Sequence, residues 1–157
     1  KRRQGGYVRE VLSHFVYLTE SVFGPLSLNQ AIVRYPDGTD GDSSESHVYA
    51  DLTCNSVPVS VAGGVGGTGP DRIEFTVWGQ KKSCRLDDWY TAYLSDGQAW
   101  FPAMTEIDEL KGDIRQIGRV HQLDNLAQFM RGEAHELPDF KAAFSVQQII
   151  EGIFDHD

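Results

Sequence analysis

Two titratable side chains near the start of the chain, Glu10 and His14, are spaced four residues apart. They lie in "GGYVREVLSHFVYLTESVFG", residues 5–24, in which apolar residues recur with a helical period. Residues at positions i and i+4 project from the same side of a helix. A histidine titrates near neutral pH, and a neighbouring carboxylate favours its protonated form. The pair therefore has the chemistry of a general acid–base site.

The same spacing also fits an ion pair on the surface. A Glu–His pair at i, i+4 stabilises a helix by about 0.2–0.5 kcal/mol, and such pairs often arise by chance. The residue types and their spacing therefore leave both interpretations open.

The overall composition excludes several classes of partner. The 157 residues include 14 basic and 23 acidic side chains, which gives a net charge of −9. An acidic protein repels phosphate backbones, so we expect no nucleic-acid partner. No apolar run approaches the length of about 18 residues that a membrane span needs, so we expect no membrane partner. The apolar fraction of 40% is ordinary for a globular protein of this length.

The cysteines and the start of the chain bear on its location and extent. Cys54 and Cys84 are too few for a disulfide framework, and we expect two reduced, buried thiols in a cytoplasmic protein. No continuous apolar stretch follows Lys1-Arg2-Arg3, so this start is not typical of a signal peptide. The chain has no initiator Met and begins just before a helix, which indicates a segment of a longer protein.

The elements that must position Glu10 and His14 follow from the periodicity. A first helix is predicted from about Tyr7 to Phe23, because Gly24 is a good residue to end it and Pro25 prevents its continuation. Strand patterns follow at 26–35, 47–55, 57–61, 72–79, 82–89, 90–95 and 98–101, with a hairpin signal at Asp96-Gly97. Two helices are predicted at 118–132 and 140–154, with Asp139 as the N-cap of the second.

This order of elements predicts the fold class. The strands come in one block, and their connections are too short for parallel crossovers. We therefore predict an α+β fold, with a largely antiparallel open sheet of about six or seven strands and helices packed on one face. We expect residues 1–157 to form a single domain.

Two other motifs are interpreted as loops. "GVGGTG", residues 64–69, matches the glycine pattern of dinucleotide-binding sites, but a strand pattern rather than a helix follows it. The pyrophosphate would then lack the helix N-terminus that binds it, so we expect a hairpin loop and no cofactor site in this chain. The acidic residues Asp37, Asp40, Asp42 and Glu45 lack the spacing of a calcium loop, and we expect a solvated turn and no metal site.

With these elements in place, the chain resembles the C-terminal domain of the glucose–fructose oxidoreductase/inositol dehydrogenase/MocA-like family. Members typically begin the first helix of that domain with Gly-Gly, then an Asp, then a His four residues later. The matching residues here are Gly5, Gly6, Glu10 and His14. "LDNLAQFMRGE" and "DFKAAFSVQQIIEGIF" also resemble the last two helices of that domain.

The resemblance implies an activity for a longer parent protein. The parent would be an NAD(P)-dependent dehydrogenase, with NAD or NADP bound by a Rossmann domain absent from this chain. His14 would take the proton of a substrate hydroxyl, and Glu10 would orient the imidazole or polarise the substrate. The chain would supply the substrate-side wall for a sugar, polyol or similar small molecule, and it would be inactive alone.

Two departures from the family pattern bear on this activity. The usual Asp is Glu10, whose carboxylate lies one methylene further out, and errors of about 1 Å in placement can cost about 10²-fold in rate. The usual Gly two residues before the His is Leu12, which we expect to narrow the substrate space.

Two alternatives to this activity remain. One is a non-catalytic relative that senses a ligand or binds a protein, which Leu12 favours. The other is an unrelated α+β binding module in which Glu10 and His14 are surface residues.

The strand patterns also predict a subunit interface. "HVYADLTC" carries His47, Tyr49, Asp51 and Thr53 opposite its apolar face, and "RIEFTVWG" carries Glu74, Thr76 and Trp78. Aromatic and polar residues mixed in this way suit an interface better than open water. We therefore expect homo-oligomers formed through one face of the sheet.

Overall fold

The computed structural model describes residues 5–38, 43–103 and 114–156. These residues belong to two compact units. The first combines the two ends of the chain, Lys1–Thr68 and Pro138–Asp157, and the second is formed by Gly69–Leu137.

The first unit begins with the predicted helix. It opens with a π-helical turn, Val8–Leu12, and continues as α1, Ser13–Phe23. The helix ends at Gly24, whose φ of 98° few other residues adopt, and the Gly24 N–H donates to the Glu20 carbonyl at 3.0 Å. The predicted limits of Tyr7 and Phe23 are confirmed.

A three-stranded antiparallel sheet follows the helix. Its strands are β1 (Leu26–Arg34), β2 (His47–Cys54) and β3 (Val57–Gly64), in that spatial order. Asn55 and Ser56 join β2 to β3 with φ angles of 46° and 69°, as a tight two-residue hairpin requires. The predicted alternation along β2 is confirmed, because Val48, Ala50, Leu52 and Cys54 are all buried.

One face of this sheet carries the core. Helix α3 (Phe140–Asp155) packs with α1 on that face, and Asp139 caps α3 by accepting the Ala142 N–H at 2.8 Å, as predicted. The core residues come from both helices and from β1 and β2: Val8, Leu12, Val16, Leu26, Ala31, Val33, Val48, Ala50, Leu52, Cys54, Ile149, Ile150 and Ile153.

The second unit contains a separate antiparallel sheet. Its strands are β4 (Glu74–Val77), β5 (Ser83–Asp87), β6 (Thr91–Ser95) and β7 (Trp100–Pro102), paired in chain order. Gly97, with a φ of 105°, lies in the predicted hairpin between β6 and β7. Helix α2 (Ile114–Met130) belongs to the same unit.

The α+β class is confirmed, but the single sheet of six or seven strands is wrong. The seven strands of the described residues form one sheet of three and another of four. Period-two patterns identify strands without specifying which strands pair. Residues 65–73, which separate β3 from β4, contain no helix or strand.

The two cysteines differ in their surroundings. Cys54 is buried, and its thiol donates to the Gly24 carbonyl at 3.2 Å. Cys84 is exposed, so the prediction of two buried thiols is wrong for this residue. Its cross-strand partner on β6, Leu94, is 42% exposed, and Phe101, which pairs with Leu94 from β7, is 56% exposed. An apolar strand pattern therefore does not guarantee burial on this face of the four-stranded sheet.

Candidate active site

A buried carboxylate holds the start of the helix that carries Glu10 and His14. Glu45 is 2% exposed, and its Oε1 accepts the Val8 N–H at 2.6 Å. Gly6 lies against it with a φ of +117°, and a Cβ at Gly6 would lie 2.5 and 2.7 Å from the two carboxylate oxygens. Gly6 therefore supplies both a backbone conformation and a space that a larger residue would disturb.

This position of Glu45 differs from the predicted solvated turn. Asp37 is exposed as expected, whereas Asp40 and Asp42 lie outside the described residues. The N–H groups at the N-terminus of a helix have no partners within the helix, and a carboxylate can accept hydrogen bonds from them. Glu45 is buried because it makes such a hydrogen bond. No signal in the acidic segment distinguishes Glu45 from its neighbours, because its partner is more than thirty positions away, at Val8.

The π-helical turn determines which side chains face outward. The Ser13 N–H reaches back to the Val8 carbonyl, so this turn contains one residue more than an α-helical turn. Val8, Leu12 and Val16 recur every four residues and are all buried, at 0%, 4% and 3% exposure. Glu10 and His14 lie between these core positions, and both are exposed.

Leu12 does not occupy the position expected from the resemblance. Its side chain belongs to the core with Val8 and Val16. The expectation that Leu12 narrows a substrate space is therefore wrong, because this side chain is buried in the core of the first unit.

Side-chain contacts with other parts of the first unit also hold the rest of the helix in place. Arg9 Nη2 contacts Glu151 Oε1 at 2.8 Å and Oε2 at 3.1 Å, and its guanidinium lies 4.3 Å from the centre of the Phe154 ring. Near the other end, Glu20 Oε1 accepts the Leu26 N–H at 3.1 Å and the Ser145 hydroxyl at 3.0 Å. Glu10 and His14 are thus attached to a helix held at both ends.

This arrangement can serve proton transfer to an external molecule. An exposed imidazole can accept or donate a proton, and a carboxylate on the same helix can orient a bound hydroxyl compound. A rigid helix positions such groups better than a loop does.

The glycine run does not fit a dinucleotide cofactor. Strand β3 ends at Gly64, and residues 65–73 form no helix before β4 begins at Glu74. Gly66 and Gly67 have φ angles of 98° and 102°, as loop glycines do. The pyrophosphate would have no helix N-terminus to bind at this loop.

The described residues offer neither a cluster of metal ligands nor a membrane span. Among residues 5–38, 43–103 and 114–156, no group of three or more His, Cys, Asp or Glu side chains could hold a metal ion. Within the same ranges, no helix is both long enough and apolar enough to span a bilayer.

The four-stranded sheet carries a polar and aromatic cluster that no sequence motif indicates. The Arg85 guanidinium lies 5.0 Å from the centre of the Tyr93 ring and 4.8 Å from that of Trp100, and it pairs with Asp87 at 2.9 Å. Trp100 in turn meets Trp78 edge to face at 5.8 Å. The Arg85 Nε is buried and has no hydrogen-bond partner among the described residues.

Comparison with known proteins identifies the fold. No protein-family model matches the sequence, and no curated protein matches it. Among solved structures, the chain is similar to the dehydrogenase MviM from Clostridium difficile, with a TM-score of 0.73 and 9% identity. It is also similar to a "putative oxidoreductase" from Thermotoga maritima, with a TM-score of 0.68 and 13% identity.

Both proteins are of the glucose–fructose oxidoreductase/inositol dehydrogenase/MocA type. The chain has the fold of the matched part of each of these proteins. The similarity covers 95% and 97% of this chain but only 47% and 45% of the two proteins, so the chain spans less than half of their length. At these identities the similarity shows the fold, and the predicted resemblance is confirmed at that level.

Proposed function

We propose that this chain is the substrate-side domain of an NAD(P)-dependent oxidoreductase that acts on a sugar, a polyol or a similar hydroxyl compound. The observation that carries the proposal is the first helix. It holds Glu10 and His14 on its exposed side, opposite a fully packed core, in a chain with an oxidoreductase-like fold.

His14 acts as the general base in this proposal. As the substrate is oxidised, its hydroxyl proton moves to the imidazole, and the same group returns the proton in the reverse reaction. Histidine suits this role because its unperturbed pKa lies near neutral pH. Glu10 orients the imidazole or the substrate hydroxyl.

The π-helical turn supports this assignment independently of the family resemblance. Such turns are rare and occur frequently at functional sites. Here the turn, Val8–Leu12, contains Glu10 and ends two residues before His14.

The cofactor, NAD or NADP, is assigned to a part of the parent protein outside this chain. Residues 64–73 do not provide the strand, turn and helix that a dinucleotide requires. The chain contributes the substrate wall and the proton-transfer residues.

The burial of Leu12 weakens the non-catalytic alternative. That alternative depends on a Leu12 side chain that reduces the substrate space, and Leu12 is 4% exposed within the core. The remaining departure is Glu10, which retains a carboxylate.

We also propose that the chain contributes a subunit interface through an open sheet face. Exposed aromatic residues support this interface, because they lie on the faces opposite the apolar residues of the strands. Tyr49 on β2 is 51% exposed, and Trp78, next to β4, is 77% exposed.

The function is tested with the full-length protein, NAD⁺ or NADP⁺, and a panel that includes glucose, xylose, myo-inositol and glycerol. Formation of reduced nicotinamide with a member of the panel supports the proposal. Absence of turnover across a broad panel of hydroxyl compounds would contradict it.

In parallel, the 157-residue chain is titrated calorimetrically with NADH and NADPH. No binding is expected, because residues 64–73 provide no helix N-terminus for the pyrophosphate. Micromolar binding would contradict the assignment of the cofactor to another part of the parent.

A further inference from the structure

We propose that Glu45 is a positioning residue for Glu10 and His14. Its buried carboxylate fixes the π-helical turn that presents Glu10 and leads into His14. The inference depends on the proposed function only in assigning proton transfer to those two residues.

The contact between Glu45 and the helix is suited to this role. Val8 is the first residue of the π-helical turn, and its N–H belongs to the group that has no partner within a helix. A charged acceptor at 2.6 Å makes a short, charge-assisted hydrogen bond with it. The carboxylate also complements the positive end of the helix dipole.

The surroundings of the carboxylate leave it little freedom. Glu45 is 2% exposed, and Gly6 lies so close that a Cβ there would meet its carboxylate carbon at 2.8 Å. Gly6 and the Glu45 carboxylate are therefore packed closely together, and a substitution at either residue is expected to displace the other.

The backbone next to Glu45 is held by the three-stranded sheet. The Ser46 N–H donates at 2.7 Å to the carbonyl of Arg34, which is the last residue of β1. The Ser46 carbonyl accepts the Val65 N–H, just after β3, at 2.9 Å. Glu45 thus connects the end of the sheet to the start of the helix.

This connection determines how the first turn is rotated. One residue corresponds to about 100° around an α-helix. A turn that relaxes from π-helical to α-helical hydrogen bonding would rotate Glu10 relative to His14 by a comparable angle. Anchoring of Val8 by Glu45 opposes that relaxation.

The test compares Glu45→Gln and Glu45→Ala with the matched control Glu20→Gln in the 157-residue chain. Glu20 is on the same helix and also accepts a backbone N–H, that of Leu26. Nuclear magnetic resonance measures amide hydrogen exchange at Val8, Ser13 and Leu26, and the ring resonances of His14.

In Glu45→Ala, exchange at Val8 and Ser13 is expected to accelerate at least about tenfold, and the His14 ring resonances are expected to shift. Glu45→Gln retains an oxygen acceptor and should give a smaller change of the same kind. Glu20→Gln should accelerate exchange at Leu26 and leave the His14 ring unchanged.

The proposal is overturned if the His14 resonances stay unchanged in both Glu45 variants, even where exchange at Val8 accelerates, because Glu45 is then only a helix cap. If Glu45→Ala does not fold, the two Gln variants decide by the same measurements. Turnover of His14→Gln in the full-length protein tests the proposed function separately. Normal turnover there would overturn that function without changing the exchange and resonance results.

Discussion

Glu10 and His14 are exposed because the residues that alternate with them fill the core. Val8, Leu12 and Val16 are each less than 5% exposed and contact both the sheet and α3 in one cluster. The burial of these three side chains fixes the helix, and the helix fixes the direction of the two polar residues.

Leu12→Ala is therefore expected to destabilise the fold. Removing a buried leucine side chain typically costs about 2–5 kcal/mol in the free energy of unfolding, because it removes apolar contacts and leaves a cavity. Val22→Ala, at a position 61% exposed on the same helix, is the control and should change that free energy by no more than about 0.5 kcal/mol. Urea unfolding of the chain measures both.

If Leu12→Ala and Val22→Ala have equal effects, the packing of Leu12 described above is contradicted. A stable Leu12→Ala variant with a lower KM in the full-length protein would instead support a leucine that restricts the substrate space.

At the scale of elements, the contact between the first helix and β3 depends on a glycine. The Tyr7 ring lies over Gly63, and a Cβ at that position would lie 2.1 Å from the Tyr7 Cζ. Burial also raises the pKa of the Tyr7 phenol above its ordinary value, which agrees with a ring enclosed by its neighbours.

Gly63→Ala is expected to lower the free energy of unfolding by about 1–3 kcal/mol, the usual cost of overpacking. The added methyl group forces the Tyr7 ring to move, and Tyr7 directly precedes the π-helical turn. Gly69→Ala is the matched control, because a Cβ at Gly69 meets no atom within 4 Å. Thermal unfolding compares the two variants, and equal midpoints would contradict the close contact between Tyr7 and Gly63.

The helices and strands could be predicted well from local patterns. The limits of the first helix, the alternation along β2 and the Asp139 cap each depend on residues close together in sequence. The separation into two sheets could not be predicted in this way, because a period-two pattern does not show whether consecutive strands such as β3 and β4 pair with each other.

The candidate site, too, could be predicted from the sequence only in part. The i, i+4 spacing indicates Glu10 and His14, and the structure places both on the exposed side of one helix. Glu45 was not predicted, because its contact with Val8 joins residues 37 positions apart. The inward direction of Leu12 agrees with its place in the apolar helical period, whereas the family resemblance placed this residue towards a substrate.

At the scale of the whole molecule, the predicted self-association now concerns two separate sheets. Tyr49 belongs to the three-stranded sheet and Trp78 follows β4 of the four-stranded sheet. A standard interface buries roughly 800 Å² per partner.

Sedimentation velocity of the wild type, Trp78→Glu and Tyr49→Glu distinguishes these two faces. We expect a wild-type dimer that Trp78→Glu converts to a folded monomer, because a charge in place of an aromatic residue that the dimer buries disfavours association. A dimer disrupted only by Tyr49→Glu would assign the interface to the three-stranded sheet. A monomeric wild type, or a dimer unaffected by either change, would contradict association through a sheet face.

We propose above all that His14 transfers the substrate proton in the full-length protein. The most direct measurement is kcat/KM of His14→Ala, compared with Glu10→Gln and with His156→Ala, a control at an exposed histidine after α3. Loss of a general acid–base group predicts a decrease of about 10²–10⁴-fold for His14→Ala. Glu10→Gln should lose less, because it retains its shape, and His156→Ala should be unaffected. Near-normal kcat/KM in a folded His14→Ala variant would contradict the account and identify Glu10 and His14 as surface residues of the helix.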